Sequence, residues 1–168
     1  TKKNIMNKFT LIIFFTTLFY ITTYAQQTFI PDDNFEQALI DLGVDDNLDD
    51  YVLTSIISTL AGIDLSNKNI SDLTGIEDFE FLEYLDCSNN FLIELNVGNN
   101  TFLKQLNCSS NNLSSIEINN NIELDYLNTS NNLLSEIDIT NNINISYFDC
   151  SMNDLSTIDV SNNTLLTF

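Results

Sequence analysis

The sequence predicts an α/β solenoid, a stack of short coils preceded by a helical segment, and three observations support this fold class. Four consecutive units over residues 82–165 share one pattern. Their opening residues are 21 positions apart: Leu82, Leu103, Leu124 and Ile145. A fixed period of this size is typical of solenoids, in which each coil buries its apolar edge against its neighbours. Apolar residues also alternate within each unit, as in strands, and residues 26–59 show helical spacing in place of the repeat.

Residues 1–25 have the features of a signal peptide. Three lysines precede an apolar run over residues 9–21, and small residues end at Ala25. The run is shorter than the roughly 20 apolar residues of a membrane span, so we expect cleavage after Ala25; the alternative is a membrane anchor. Cleavage would remove three of the five lysines and move the formal charge from −19 to −22. Such a charge repels nucleic acids and anionic membranes.

Residues 26–59 predict a helical N-terminal cap. Asp32, Asp33 and Asn34 follow Pro31, and these residues can cap a helix. Apolar residues then recur at helical spacing from Phe35 to Leu42, and Gly43 is a suitable end. A second short helix is expected around residues 53–60. The two helices would cover the apolar core and the unpaired strand edge that an open solenoid exposes.

The acidic turn Asp45–Asp50 partly matches a calcium loop. Asp45, Asn47 and Asp49 fit the first three ligand positions. The match then fails, because Asp50 replaces a glycine and Ile56 stands where a bidentate glutamate is needed. The sequence therefore favours an ordinary acidic turn, and it predicts neither a metal nor another cofactor.

The repeats occupy residues 60–168, beginning with a transitional coil over 60–81. In each later unit two alternating residues, such as Leu85 and Cys87, are predicted to point inward from a short strand. An asparagine at a fixed bend is expected to bond backbone groups of its own coil and its neighbour. This predicted asparagine ladder comprises Asn90, Asn111, Asn132 and Asn153. A second alternation, rich in β-branched residues, predicts a return strand in each coil. Its members are Leu95 and Val97, Ile116 and Ile118, Ile137 and Ile139, and Ile158 and Val160.

The three cysteines, Cys87, Cys108 and Cys150, fall in one inward column, with Thr129 in the vacant place. A metal site needs ligands that converge on a point, often with a C-x-x-C pair or histidine. The chain has no histidine, and its cysteines are one and two coils apart. We therefore expect free, buried thiols that act as small apolar spacers, in preference to a disulfide or a metal site.

The unit L-x-x-L-x-C-x-x-N-x-L-x-x-L-x-V resembles the leucine-rich repeat family over residues 60–168. Its cysteine variant is similar to the 21-residue repeats of surface proteins from Bacteroidetes-type bacteria. The segments FIPDDNFEQALIDLG and ISDLTGIEDFEFLEYL resemble the helical cap of internalin-type proteins. The resemblance implies a right-handed superhelix with a parallel sheet on its concave side and a mostly extended or irregular convex side. It also implies binding of macromolecules at the concave face, without catalysis.

The outward positions of the concave strands are the candidate binding residues. One column is Tyr84, Gln105, Tyr126 and Tyr147; the next is Asp86, Asn107, Asn128 and Asp149; a third is Ser88, Ser109, Ser130 and Ser151. Tyrosine beside hydrogen-bonding side chains is typical of recognition surfaces. The alternative is that tyrosine only fits a strand surface and that asparagine and serine only satisfy bends.

The sequence therefore predicts an exported, cell-surface binding module for a protein ligand, in adhesion or recognition. The alternatives are a glycan ligand, or a structural spacer that presents a downstream domain. Catalysis is not expected, because no histidine is available for a Ser/His/Asp or Cys/His set. Leu166 opens a unit that stops at Phe168, so we expect that the chain is part of a longer protein.

Overall fold

The computed structural model describes residues 25–167, which form a solenoid preceded by an N-terminal segment. The predicted signal peptide lies outside the described residues, apart from Ala25. The N-terminal elements are β1 (Gln27–Phe29), α1 (Asp33–Asp41), β2 (Tyr51–Leu53) and α2 (Thr54–Ile57). The solenoid strands are β3 (Gly62–Asp64), β4 (Tyr84–Asp86), β5 (Glu94–Asn96), β6 (Gln105–Asn107), β7 (Ser115–Glu117), β8 (Tyr126–Asn128) and β9 (Tyr147–Asp149), with a 3-10 turn at Ile76–Asp78.

A five-stranded parallel sheet runs along one side of the solenoid, in the order β3-β4-β6-β8-β9. Its register places Leu85 beside Leu106, Leu106 beside Leu127, and Leu127 beside Phe148. The three leucines are fully buried and Phe148 is partly buried. The predicted inward row and the predicted solenoid are therefore confirmed. Paired residues on neighbouring strands are one repeat apart in the sequence, because each coil adds one strand to the same edge of the sheet.

The N-terminal segment contains the two expected helices and, in addition, an antiparallel ribbon that was not predicted. β1 pairs with β2 from Gln27 opposite Leu53 to Phe29 opposite Tyr51. The apolar face of α1 is buried on the first coil, where the Phe35 ring stacks on Phe79 with centroids 6.1 Å apart. The ribbon escaped prediction because three-residue strands leave almost no alternating pattern. The boundaries and capping role of residues 26–59 remain predictions.

Asp32 joins the N-terminal segment to the first coil. Its Oδ1 accepts hydrogen bonds from the amides of Asn34 and Phe35 and so caps α1 as predicted. Its Oδ2 accepts from the amide and hydroxyl of Ser71 and from the Asp72 amide. Burial alone would raise the pKa of Asp32, but these hydrogen bonds outweigh it and hold the pKa below 3.8. The charged carboxylate thus ties the start of α1 to the first coil by hydrogen bonds.

The predicted return strand forms in only two of the four coils. β5 and β7 pair in parallel through Leu95 and Ile116, whereas the equivalent residues 136–138 and 157–159 form no strand. Ile116 and Ile137 are only partly buried, and Ile158, in the last described coil, is 36% exposed. The bond from the Val97 amide to the Glu117 carbonyl is already long at 3.4 Å. The return strands therefore form a shorter ladder than the five-stranded sheet.

Gly75 has φ = 100°, a backbone conformation that favours glycine. A Cβ at this position would lie 2.4 Å from Ile30 Cδ1 and 2.7 Å from the Phe29 carbonyl oxygen. The glycine therefore lets the first coil approach the N-terminal segment closely.

Candidate functional site

The solvent-facing side of the five-stranded sheet, which we call the sheet face, carries the predicted binding residues in straight rows. The tyrosine row is Tyr84, Gln105, Tyr126 and Tyr147, and the Asx row is Asp86, Asn107, Asn128 and Asp149. The structure extends these rows by Gly62 and Asp64, which pair with Tyr84 and Asp86. Sequence analysis missed this extension, because the transitional coil is one residue longer than the regular unit. The eight predicted residues are thus brought together on one surface, and their role in binding remains a prediction.

The tyrosine row forms an aromatic platform at one end of the sheet. The rings of Tyr126 and Tyr147 stack with their centroids 4.6 Å apart and their planes 4° from parallel. Tyr84 and Tyr147 are 38% and 46% exposed. Gln105 interrupts the platform, and Gly62 leaves the other flank of Tyr84 without a side chain. The stacked pair, in which Tyr147 is exposed and Tyr126 is half-buried, offers apolar area with polar tips at low conformational cost.

The tyrosine hydroxyls lie among carboxylates. Partial burial, followed by the charges of Asp86 and Asp64, raises the pKa of Tyr84 above 10.0. Partial burial, followed by the neighbouring Tyr126 and the charge of Asp149, raises the pKa of Tyr147 in the same way. Both phenols are therefore neutral at physiological pH and can donate hydrogen bonds.

The side chains of the Asx row form hydrogen bonds within the fold in addition to lining the sheet face. Asp86 Oδ1 accepts from the amide and hydroxyl of Ser88, and Asn107 and Asn128 do the same for Ser109 and Ser130. These Asx turns end the strands. The second oxygen of Asp86 accepts from Asn107 Nδ2 at 2.9 Å. One atom of each turn-forming Asx side chain is thus committed to the fold.

The serine side chains of the third column are less exposed, and therefore less available to a ligand, than the sequence predicts. Ser88 is buried, Ser109 and Ser130 are half-buried, and only Ser151 is exposed. The hydroxyls of Ser88, Ser109 and Ser130 are already hydrogen-bonded within the Asx turns. For this column, the alternative that serine satisfies a bend is correct.

The predicted asparagine ladder forms along the bend after the strands. Asn132 is typical: its Nδ2 donates to the carbonyls of Cys108 and Thr129, and its Oδ1 accepts from the Leu113 amide, each at 3.0 Å. Asn90, Asn111 and Asn153 make equivalent bonds to their neighbouring coils. The ladder binds coil to coil and gives the sheet face its spacing.

A second asparagine ladder, which sequence analysis missed, runs along the opposite bend. It comprises Asn100, Asn121, Asn142 and Asn163, all nearly or fully buried. Each Nδ2 donates to two carbonyls of the preceding coil, such as Val97 and Asn100 for Asn121. The paired asparagines of each unit were a visible signal. The pattern alone does not tell which of the two faces inward, and the structure shows that it is the second.

The cysteine column consists of free thiols, as predicted, and none of the described cysteines forms a disulfide. Burial raises the pKa of Cys108 to about 12 and that of Cys87 well above its ordinary value. Both are therefore neutral spacers. Cys150 lies on the last described strand and is only partly buried, so the expectation of full burial is wrong there. Cys108 Sγ and Thr129 Oγ1 both donate to a carbonyl of the following strand, which explains why threonine fits the column.

Acidic side chains near α1 do not converge into a metal site. Within residues 25–167, no three potential ligands from His, Cys, Asp and Glu come together. Glu36 is fully buried, and its Oε1 accepts from the amides of Asp49 and Tyr51. Burial raises the pKa of Asp45, against the lowering effect of a hydrogen bond from the Asp46 amide, and the charge of Glu36 adds to the rise. The carboxylate of Glu36 thus organises the turn Asp45–Asp50 by hydrogen bonding.

The positive charges in the described part of the chain are both neutralised by neighbours. Lys104 Nζ lies 2.8 Å from Glu83 at the edge of the sheet face. Lys68 Nζ lies 3.4 Å from Asp41, away from the face. The sheet face therefore carries an excess of carboxylates. None of the helices in residues 25–167 is long and apolar enough to cross a membrane.

Comparison with known proteins identifies the fold. No protein-family model and no curated protein matches the sequence significantly. An internalin of Listeria monocytogenes, InlF, is similar to this chain with a TM-score of 0.68 and 16% identity, over 86% of this chain and 52% of that protein. A leucine-rich-repeat protein of Leptospira interrogans is similar with a TM-score of 0.64 and 20% identity, over 66% of this chain and 31% of that protein. This chain thus spans about half of the first and about a third of the second.

Proposed function

We propose that this chain, which has the leucine-rich-repeat fold, is an exported, cell-surface binding module that recognises a protein through its sheet face. The stacked rings of Tyr126 and Tyr147 are the observation that carries this proposal. Two parallel aromatic rings, with Tyr147 exposed and Tyr126 half-buried, provide the kind of anchor on which hot spots of binding energy are usually built. The structural similarity to an internalin also supports a binding role. In such a solenoid the sheet face would be the concave surface.

A binding role fits the site better than a catalytic one. The sheet face is an open surface of short rows, and the chain has no histidine to serve as a general base. The strongly negative charge excludes a nucleic-acid partner on electrostatic grounds. Adhesion or recognition at a cell surface is therefore the function that we infer.

A glycan is the second candidate ligand. The ring planes of Tyr126 and Tyr147 are 4° from parallel, which would allow a sugar ring to lie flat on the exposed ring of Tyr147. The asparagine side chains of the adjacent row could then bond its hydroxyl groups. This candidate predicts binding to a purified oligosaccharide in the absence of any protein.

The double variant Tyr126→Ala/Tyr147→Ala tests the proposal. Immobilised full-length chain is exposed to a cell-surface protein fraction and, separately, to a glycan array. We expect a protein ligand whose affinity falls at least about tenfold in the variant, because two aromatic anchors typically contribute more than about 1.4 kcal/mol together. Thermal unfolding of the variant is measured in parallel to verify that it folds.

The matched control is Phe91→Ala/Leu133→Ala. Phe91 and Leu133 are 56% and 54% exposed and follow the first asparagine ladder, away from the tyrosine row. Their removal should leave binding unchanged. Equal loss in both double variants would contradict the proposed site. A glycan bound by wild type and lost in the tyrosine variant would favour the second candidate, and no ligand in either assay would favour a spacer.

A further inference from the structure

The charges of the sheet face are grouped in a way that the proposed function does not use. Two strands, β4 and β9, each present a tyrosine and an aspartate two residues apart: Tyr84 with Asp86, and Tyr147 with Asp149. Residues two apart on a strand point to the same side, so each ring lies beside a carboxylate. The intervening strands carry the neutral residues Asn107 and Asn128 in the Asx row.

Each tyrosine–aspartate pair has the chemistry of a cation subsite. A carboxylate attracts an ammonium or guanidinium group, and an adjacent aromatic ring adds a cation–π interaction. The charges of Asp86 and Asp64 already act on Tyr84, and the charge of Asp149 acts on Tyr147. The nearest lysine, Lys104, is held by Glu83 at 2.8 Å, and the other lysine of the described residues pairs with Asp41.

The separation of the two pairs selects an extended ligand. β4 and β9 are three strand spacings apart in the sheet, which corresponds to about 14 Å at ~4.8 Å per spacing. An extended peptide advances about 3.4 Å per residue and shows alternate side chains on one side. Side chains four residues apart on such a peptide are therefore also about 14 Å apart and face the same way.

We propose that the sheet face binds an extended, positively charged protein segment, with two cationic side chains four residues apart held by the Tyr84/Asp86 and Tyr147/Asp149 pairs. The segment crosses the strands along the Asx row, and its intervening side chain lies over the neutral centre near Asn107 and Asn128. This inference rests on the proposed function, because it names the chemical class of the partner bound at the same face.

The probe is a neutral synthetic peptide with lysines at positions i and i+4, titrated calorimetrically into the full chain at low salt. The variant Asp86→Asn/Asp149→Asn should weaken binding about tenfold or more, since two charge-assisted contacts are lost. Asparagine already occupies this row and makes the same Asx turn at Asn107 and Asn128. Because Asp86→Asn also replaces the oxygen that accepts from Asn107 Nδ2, thermal unfolding of the variant is measured in parallel to verify that it folds. Acetylation of both lysines should abolish binding.

The control variant is Asp138→Asn/Asp159→Asn. These two exposed aspartates form equivalent turns with Thr140 and Ser161 on another side of the coil, so the change in net charge is the same. Its affinity should stay within about twofold of wild type. Equal weakening in both variants, binding of the acetylated peptide, or no binding of the lysine peptide to wild type would overturn the proposal.

The binding role of the sheet face and the positively charged partner can be tested independently of each other. If a captured protein binds more weakly to the Tyr126→Ala/Tyr147→Ala variant but equally well to Asp86→Asn/Asp149→Asn, the sheet face is a binding site and the proposal of a positively charged partner is wrong. If the affinity for the captured protein is unchanged in the Tyr126→Ala/Tyr147→Ala variant, the sheet face is not the binding site.

Discussion

Replacement of Asn132 by alanine is expected to lower the free energy of unfolding by at least about 2 kcal/mol. The substitution leaves the Leu113 amide without a partner. It also removes one of two side-chain hydrogen bonds to each of the carbonyls of Cys108 and Thr129, which keep their bonds from Asn111 and Asn153. Asn132 is only 6% exposed, so water does not readily replace these bonds. An unpaired buried amide costs about 1–3 kcal/mol, and each lost hydrogen bond costs about 0.5–1.5 kcal/mol. Chemical denaturation of wild type and variant measures the difference.

Two companion variants make this prediction specific to hydrogen bonding. Asn112→Ala removes an exposed asparagine of the same bend and should change the unfolding free energy by less than about 0.5 kcal/mol. Asn132→Asp places a carboxylate oxygen against two carbonyls, which raises its folded-state pKa. Because the protonated acid can donate a hydrogen bond, this variant should recover stability relative to wild type as the pH falls below that raised pKa. An Asn132→Ala effect no larger than that of Asn112→Ala would contradict the ladder.

Replacement of Leu127 by alanine is expected to destabilise the chain by about 2–5 kcal/mol. Leu127 is fully buried between Leu106 and Phe148 in the inward row. A solenoid coil contacts only its neighbours, so a cavity at the centre of the row weakens two inter-coil contacts at once. Thermal and denaturant unfolding measure the loss.

Leu133→Ala is the matched control for that cavity. Leu133 has the same side chain, lies six residues further along the same coil and is 54% exposed. Its truncation should cost less than about 0.5 kcal/mol. Comparable losses for the two leucines would mean that residue 127 does not lie in a continuous core.

Much of the fold could be predicted because the repeat specifies the same position several times. A single Leu-x-Cys pair is ambiguous, but its recurrence at Leu85 and Leu106 fixes both the inward face and the register. The same redundancy predicted the first ladder, since an asparagine at each bend has few uses other than backbone hydrogen bonding.

The parts that sequence reasoning missed depend on contacts between coils or on short local contacts. The return strand does not continue after β7, although Ile137 and Ile139 keep the alternating pattern. The β1–β2 ribbon is too short to leave a pattern, and its pairing is set by the Asp49–Tyr51 turn, which Glu36 holds from inside.

The candidate site was predicted in outline, and its chemistry needed the structure. The columns of Tyr126, Tyr147, Asp86 and Asn107 follow from the period alone. The commitment of Asp86 Oδ1 to the Ser88 turn depends on local backbone geometry that no spacing reveals. The stacking of Tyr126 on Tyr147 depends on side-chain rotation, which the sequence does not specify.

The account depends on side chains that are 21 residues apart being neighbours in space. The most direct test is nuclear Overhauser spectroscopy of the tyrosine rings, assigned through Tyr126→Phe and Tyr147→Phe variants. With ring centroids 4.6 Å apart, we expect strong cross-peaks between the protons of Tyr126 and Tyr147, together with methyl contacts between Leu106 and Leu127. If the two rings show no mutual cross-peaks and each contacts different elements, the rows do not exist and the binding surface built on them is wrong.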